Sequence, residues 1–180
     1  YEEQRTQENK LLALMKNRND FSQKMYSQHL AFARKLQEST NYGDEQILNV
    51  ISQFQTFGNI SQDMVQQVTK ATLNIAQTTG QDAVSIALQV AKAMSKPVEM
   101  ASSLRRSGIM FDENKLKSLG TLAQQQAYLM QEINSQYSGA AAGGQSELQK
   151  FKNIFGDIKE EIGRCLMPLF AGLASVILTV

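Results

Sequence analysis

The chain has 180 residues, enough for one ordinary domain or for a domain with a helical arm. Lys and Arg number 18 against 17 Asp and Glu, so no global cationic excess draws it to nucleic acid or anionic lipid. With no Trp, two Pro and one Cys, and an apolar fraction built from Ala, Leu, Ile and Met, the composition favours helix over sheet; it excludes an intramolecular disulfide and a cysteine-based zinc site.

Residues 1–38 contain neither Gly nor Pro. Leu14, Phe21, Met25, Phe32 and Leu36 recur at spacings of 7, 4, 7 and 4, one stripe of a long helix narrow enough for a coiled-coil seam. If continuous, this arm spans roughly 55 Å at 1.5 Å per residue. The chain opens without Met and without a basic-then-apolar leader, so no signal peptide is read, and both ends suggest a piece of a longer protein.

The run STNYGD, Ser39 to Asp44, breaks the pattern, and Asp44 is expected to cap a short helix over 44–57. Gly58 and Asn59 suit a left-handed C-terminal cap. Ser61 then starts a helix with Met64, Val68, Ala71 and Ile75 on its buried face, closed by Gly80. Asp82 starts the next, with Ala83, Ala87, Val90 and Met94 buried, and Lys96 ends it because a residue before proline is pushed out of the α region. Pro97 opens a short helix running to Arg106, with Arg105 and Arg106 near its C-terminal dipole and Gly108 as its stop. Ile109 and Phe111 are expected to fold back onto this helix pair.

A longer helix is predicted from about Asp112, with Leu116, Leu119, Ala123, Met130, Ile133 and Tyr137 on one side. SGAAAGG, residues 138–144, has three glycines in seven residues and reads as a linker. Beyond it Leu148, Phe151, Phe155, Ile158, Ile162, Cys165 and Leu169 form a heptad-like stripe suited to self-association. The fifteen residues from Leu166 to Val180 carry no charge; about 22 Å long as helix, they are a candidate start of a transmembrane segment. The reading is all-α: a helical arm over 1–38, a helical domain over 39–137, the linker, and a heptad-like helix over 145–180 that runs into the apolar segment.

Chemistry-bearing residues are scarce. His29 lies near the apolar stripe and reads as a packed or edge histidine, since no second His or suitably spaced carboxylate assembles a metal site around it. Cys165 sits in a buried-looking stripe and reads as core filler. The chain has no G-x-S-x-G elbow, no phosphate-binding G-x-x-x-x-G-K-[ST] and no G-x-G-x-x-G. Glu160 and Glu161 read as a solvated face, and Arg105 and Arg106 satisfy carbonyls at a helix end without a ligand. No catalytic, metal or cofactor-binding residue is assigned, and an enzyme is not expected.

The order of elements over about residues 39–170 resembles the helical region of bacteriophage tail tape measure proteins. The signature runs TGQD (Gly80, Asp82), an Ala-rich helix, a Lys-Pro step at Pro97, LRRSGIMF, a Gln-rich helix ending in YSGAAAG (Gly139), then GDIKEEIG and Pro168. The family's Leu-Arg-Arg-x-Gly-Ile pattern falls on Leu104, Arg105, Arg106, Gly108 and Ile109, and its Gly-Asp-x-x-Glu-x-Ile-Gly pattern on Gly156, Asp157, Glu160, Ile162 and Gly163. The resemblance implies a structural virion protein that fills the tail-tube lumen, sets tail length, templates tube assembly and assists genome ejection. Implied partners are tail tube subunits, tail tip or baseplate proteins, tail assembly chaperones, further copies along the tail axis, and the host membrane on ejection, with no specific nucleic-acid sequence. Assembly would occur in the host bacterial cytoplasm. The family usually continues into long apolar helices, whereas this chain ends at Val180.

A ruler should be extended, but from Ser39 to Gly144 the sequence stops a helix every 10 to 25 residues. That predicts a compact module near one end of the ruler. The alternative reading is a pore-forming or translocator-type secretion protein that inserts amphipathic helices and its apolar end into membranes.

Overall fold

The computed structural model describes residues 2–137. Among them the chain is all-helical, without a strand. The expected linker at 138–144 and the segment at 145–180 lie outside the described residues, as does the apolar stretch proposed as a transmembrane start. No helix among the described residues is long and apolar enough to cross a membrane. Contacts divide the chain into two units, the first ending at Met110 and the second beginning at Phe111.

The first unit comprises α1 (Glu2–Lys16), α2 (Gln23–Gln37), α3 (Asp44–Gln55), α4 (Gln62–Thr79), α5 (Ala83–Ser95), α6 (Pro97–Met100) and a 3-10 helix (Ala101–Ser107). Its core is arranged around α3, which packs against α1, α2, α4 and α5. The sequence explains the position. α3 buries Ile47, Leu48, Val50, Ile51, Ser52, Phe54 and Gln55, more of its circumference than one narrow stripe, so covering it takes several helices. α4 and α5 close the other side with Val65, Val68, Leu73 and Ile75 against Ile86, Val90 and Met94. The alanines Ala87, Ala91 and Ala93, all fully buried, keep α5 slim where α3, α4 and the 3-10 helix meet it.

The single arm over 1–38 is corrected to two helices, both packed on α3. The polar run Asn17-Arg18-Asn19-Asp20 offers side-chain alternatives to backbone hydrogen bonding, and α1 stops before it. Ser22 then restarts the chain, its Oγ accepting from the Met25 amide at 3.1 Å. The buried residues are Leu11 and Met15 on α1 and Tyr26, His29, Phe32, Ala33 and Leu36 on α2; Leu14, Phe21 and Met25 of the expected seam are only half-buried. The break exchanges a narrow seam for two faces on one central helix.

Three helix ends also differ from expectation. Gly43, not Asp44, is the N-cap of α3, where Gln46 Oε1 accepts from the Gly43 amide at 3.2 Å and Gln37 Oε1 accepts from the Asp44 amide at 2.9 Å. α3 stops at Gln55 in right-handed backbone, so Gly58 forms no left-handed cap; among the described residues only Gly80 and Gly108 have positive φ. The proline-started helix keeps α geometry only to Met100 and continues as the 3-10 helix.

In the second unit the long helix expected from Asp112 is two: α7 (Glu113–Ser118) and α8 (Leu122–Tyr137). Asp112 caps α7, its Oδ1 accepting from the amides of Asn114 and Lys115 at 2.8 and 3.1 Å. Thr121 and Gln124 start α8 with a reciprocal pair. Thr121 Oγ1 accepts from the Gln124 amide and Gln124 Oε1 accepts from the Thr121 amide, each at 3.2 Å. Leu119 and Ala123 leave the buried face; Leu116, Tyr128, Leu129, Met130, Ile133 and Tyr137 form it. The Tyr128 hydroxyl accepts from the Asp112 amide at 2.9 Å and ties the start of α7 to α8.

Two hydroxyls in the first core, Ser52 Oγ and Thr72 Oγ1, are buried without a hydrogen-bond partner. Replacing an unpaired buried hydroxyl by a methyl of the same shape removes a desolvation cost. Thr72→Val should therefore raise the stability of the first unit by about 1 kcal/mol, measured by urea unfolding, whereas most changes at a fully buried position lower it.

Candidate functional site

The feature that combines charge, burial and a titratable ring lies where the 17–22 link meets the start of α4. Arg18, with its side chain 7% exposed, forks onto Asp20 through Nε at 2.7 Å and Nη2 at 2.8 Å. The same guanidinium donates to two backbone carbonyls of the α3–α4 link, Phe57 O at 2.9 Å and Ile60 O at 2.8 Å. Only a planar fork with several donors can hold a carboxylate and two carbonyls at once. These bonds hold the Asp20 carboxyl below the ordinary carboxylate range, against burial, which pushes the other way.

Gln62, in the first turn of α4, continues the cluster inward. Its Nε2 donates to Asp20 Oδ1 at 3.3 Å and to Gln55 Oε1 at 2.9 Å, while Gln55 Nε2 donates back to Gln62 Oε1 at 2.9 Å. The carboxylate fixes which end of the Gln62 amide is nitrogen, so its oxygen faces His29 at 2.9 Å and accepts from Nε2–H. That tautomer leaves Nδ1 as the unprotonated nitrogen, fully buried and without a partner. Burial lowers the proton affinity of His29, and the Arg18 charge adds to this, against the Gln62 hydrogen bond, which favours the proton. The ring is a neutral structural member. Besides His29 the hydrogen-bonded cluster holds one carboxylate, Asp20, taken up by Arg18 and Gln62, and among the described residues no group of three or more His, Cys, Asp or Glu side chains can hold a metal ion.

The motif residues picked out by sequence fall into two sets. Gly139, Gly156, Asp157, Glu160, Ile162, Gly163 and Pro168 lie outside the described residues. The remainder are helix punctuation. Gly80 ends α4 in left-handed backbone at φ 69°, its amide donating to Ala76 O at 2.9 Å. Asp82 starts α5, its Oδ2 accepting from the Ser85 amide at 2.8 Å. Pro97 occupies the first position of α6 and is buried. In LRRSGI, Gly108 has φ 81° and its amide donates to Arg105 O at 3.0 Å, while the Ile109 amide donates to Leu104 O at 3.1 Å. Leu104 and Ile109, both 0% exposed, flank the turn, as a Schellman stop requires. Arg105 and Arg106 stand in the last turn and are exposed.

Sequence reading placed His29 among packed histidines but did not see the cluster around it. The signal was the density of Asn, Asp and Arg at 17–20, which interrupts an otherwise good helix. Comparison of the chain with protein-family models, with curated proteins and with solved structures found no match.

Two substitutions separate the cluster from the punctuation. Arg18→Met removes the ion pair from Asp20, whose side chain is 45% exposed and keeps its bond from Gln62, and strips two partly buried carbonyls of their donor; it should cost about 1–2 kcal/mol in urea unfolding. Gly108→Ala places a Cβ in left-handed backbone and should cost about 1 kcal/mol, without loss of helix by circular dichroism.

Proposed function

We propose that the chain is a segment of a phage tail tape measure protein and serves as a compact helical module of it, near the tail tip, rather than as part of the extended ruler. The observation that carries this reading is the order of the sequence signature from TGQD through LRRSGIMF and YSGAAAG to GDIKEEIG. Its described members are stops and starts of successive helices: Gly80, Asp82, Pro97 and Gly108 each turn the chain at a defined point. A chain stopped this often folds back on itself, and α3 enclosed by four other helices is the opposite of a rod. Both features support a module with its own core.

On this reading the protein is structural and not an enzyme. It sits in the tail lumen, meets tube subunits, tip or baseplate proteins, assembly chaperones and further copies of itself, and acts with the host membrane during genome ejection. The ruler function belongs to other parts of the parent protein.

Electron microscopy of particles whose parent protein lacks residues 44–137 in frame tests it. The expected result is tails of unchanged length that fail to deliver DNA. Tails shortened by about 140 Å, the length of this segment as continuous helix at 1.5 Å per residue, would overturn the compact-module reading. Unchanged tails with full infectivity would overturn its role in ejection.

A further inference from the structure

His29 is the chain's one histidine, it is fully buried, and one of its ring nitrogens has no partner. Its other nitrogen, through Gln62, belongs to the cluster that joins α2, α3, α4 and the 17–22 link. The charged groups around it leave no acceptor for a second proton. From the link, Arg18 is a cation and Asp20 is taken by Arg18 and Gln62. From α4 come Gln62, a neutral amide already engaged on both ends, the half-buried Asp63 beside it, and Lys70, which lies over the Phe32 ring at 5.9 Å. From α1, Glu8 reaches α2 at Arg34, 3.8 Å away. The only charges of α3 are Asp44 and Glu45, in its first turn, about 15 Å along the axis from Gln55.

A proton arriving at Nδ1 therefore creates a buried N–H without an acceptor, on a cation near a guanidinium. Moving α2 off the core relieves both at once, because the ring leaves with its helix and water supplies the acceptor. We propose that the His29–Gln62–Gln55 junction is an acid-sensitive latch, and that protonation of His29 releases α2 from α3 and α4. Gln55 and Gln62 retain each other through their reciprocal pair, so the α3–α4 junction outlasts the release of α2.

The direction in pH follows from the neutral ring. Burial depresses the folded-state proton affinity, so the open state binds the proton more readily. Closure is fully stable above the ordinary imidazole value of about 6.5 and weakens as pH falls from there towards the lower folded value. Within that window each pH unit favours opening by up to about tenfold, the limit for one proton. Asp20 titrates in the same direction but only in the carboxylate range.

The full chain suffices for the test, since its single imidazole gives one unambiguous proton resonance pair. The imidazole midpoint should lie below 6.5, and α2 amides at 23–37 should lose hydrogen-exchange protection several-fold more than α4 amides between pH 7 and pH 5, after correction for intrinsic rates. His29→Gln, whose amide nitrogen replaces Nε2–H towards Gln62, should abolish that difference. A folded imidazole midpoint at or above 6.5, equal loss of protection in α2 and α4, or an unaltered pH dependence in His29→Gln would each overturn the latch. If His29→Gln does not fold, the wild-type midpoint and exchange pattern still decide.

Discussion

The Arg18 guanidinium holds together two stretches of chain about forty residues apart, and the arrangement of the first unit depends on it. Hydrophobic burial alone puts α1, α2 and α4 against α3 without fixing how the links between them run. Arg18 sets that relation, because one rigid fork meets both Asp20 in its own link and the carbonyls of Phe57 and Ile60 in the other. Gln62 and Gln55 carry the constraint into the core, where each amide satisfies the other. The cluster is continuous: Arg18 holds Asp20, Asp20 accepts from Gln62, and Gln62 is paired with Gln55.

Much of the helical content was legible. The caps at Ser61 and Asp82, the stops at Gly80 and Gly108, and the proline start at Pro97 lie where their side-chain chemistry placed them. Two breaks were not seen, and for one reason. At 17–22 and at 119–121 the apolar spacing continues across the gap, so periodicity reads through it. The information lay in cap chemistry, Ser22 in one case and the Thr121–Gln124 pair in the other. The polar cluster was illegible for a different reason. Arg18, Asp20, His29, Gln55 and Gln62 meet only after three helices have packed, and a glutamine in a glutamine-rich chain announces nothing.

The motif that suggested a family has a plain physical content. Leu104, Gly108 and Ile109 are the three positions that a Schellman stop specifies, and Arg105 and Arg106 occupy the last turn, where cations meet the helix dipole favourably. Any helix may end this way, so the pattern by itself carries little. Its weight comes from standing in sequence with Gly80, Asp82 and Pro97, each of which also changes the direction of the chain. A succession of such turns describes a folding path, and that is the property by which a compact module differs from a rod.

The place of α3 has a kinetic consequence. It is central in space and also lies between its partners in sequence, with α1 and α2 before it and α4 and α5 after it. Every major contact of the first unit then closes a loop of a few tens of residues, such as the 39 between Lys10 and Asn49 or the 42 between Arg18 and Ile60. Helical topologies with such local contacts have low contact order and form in microseconds to milliseconds. A chain that had to be drawn out of this shape would recover it quickly, and from either end, because no distant strand has to be found first.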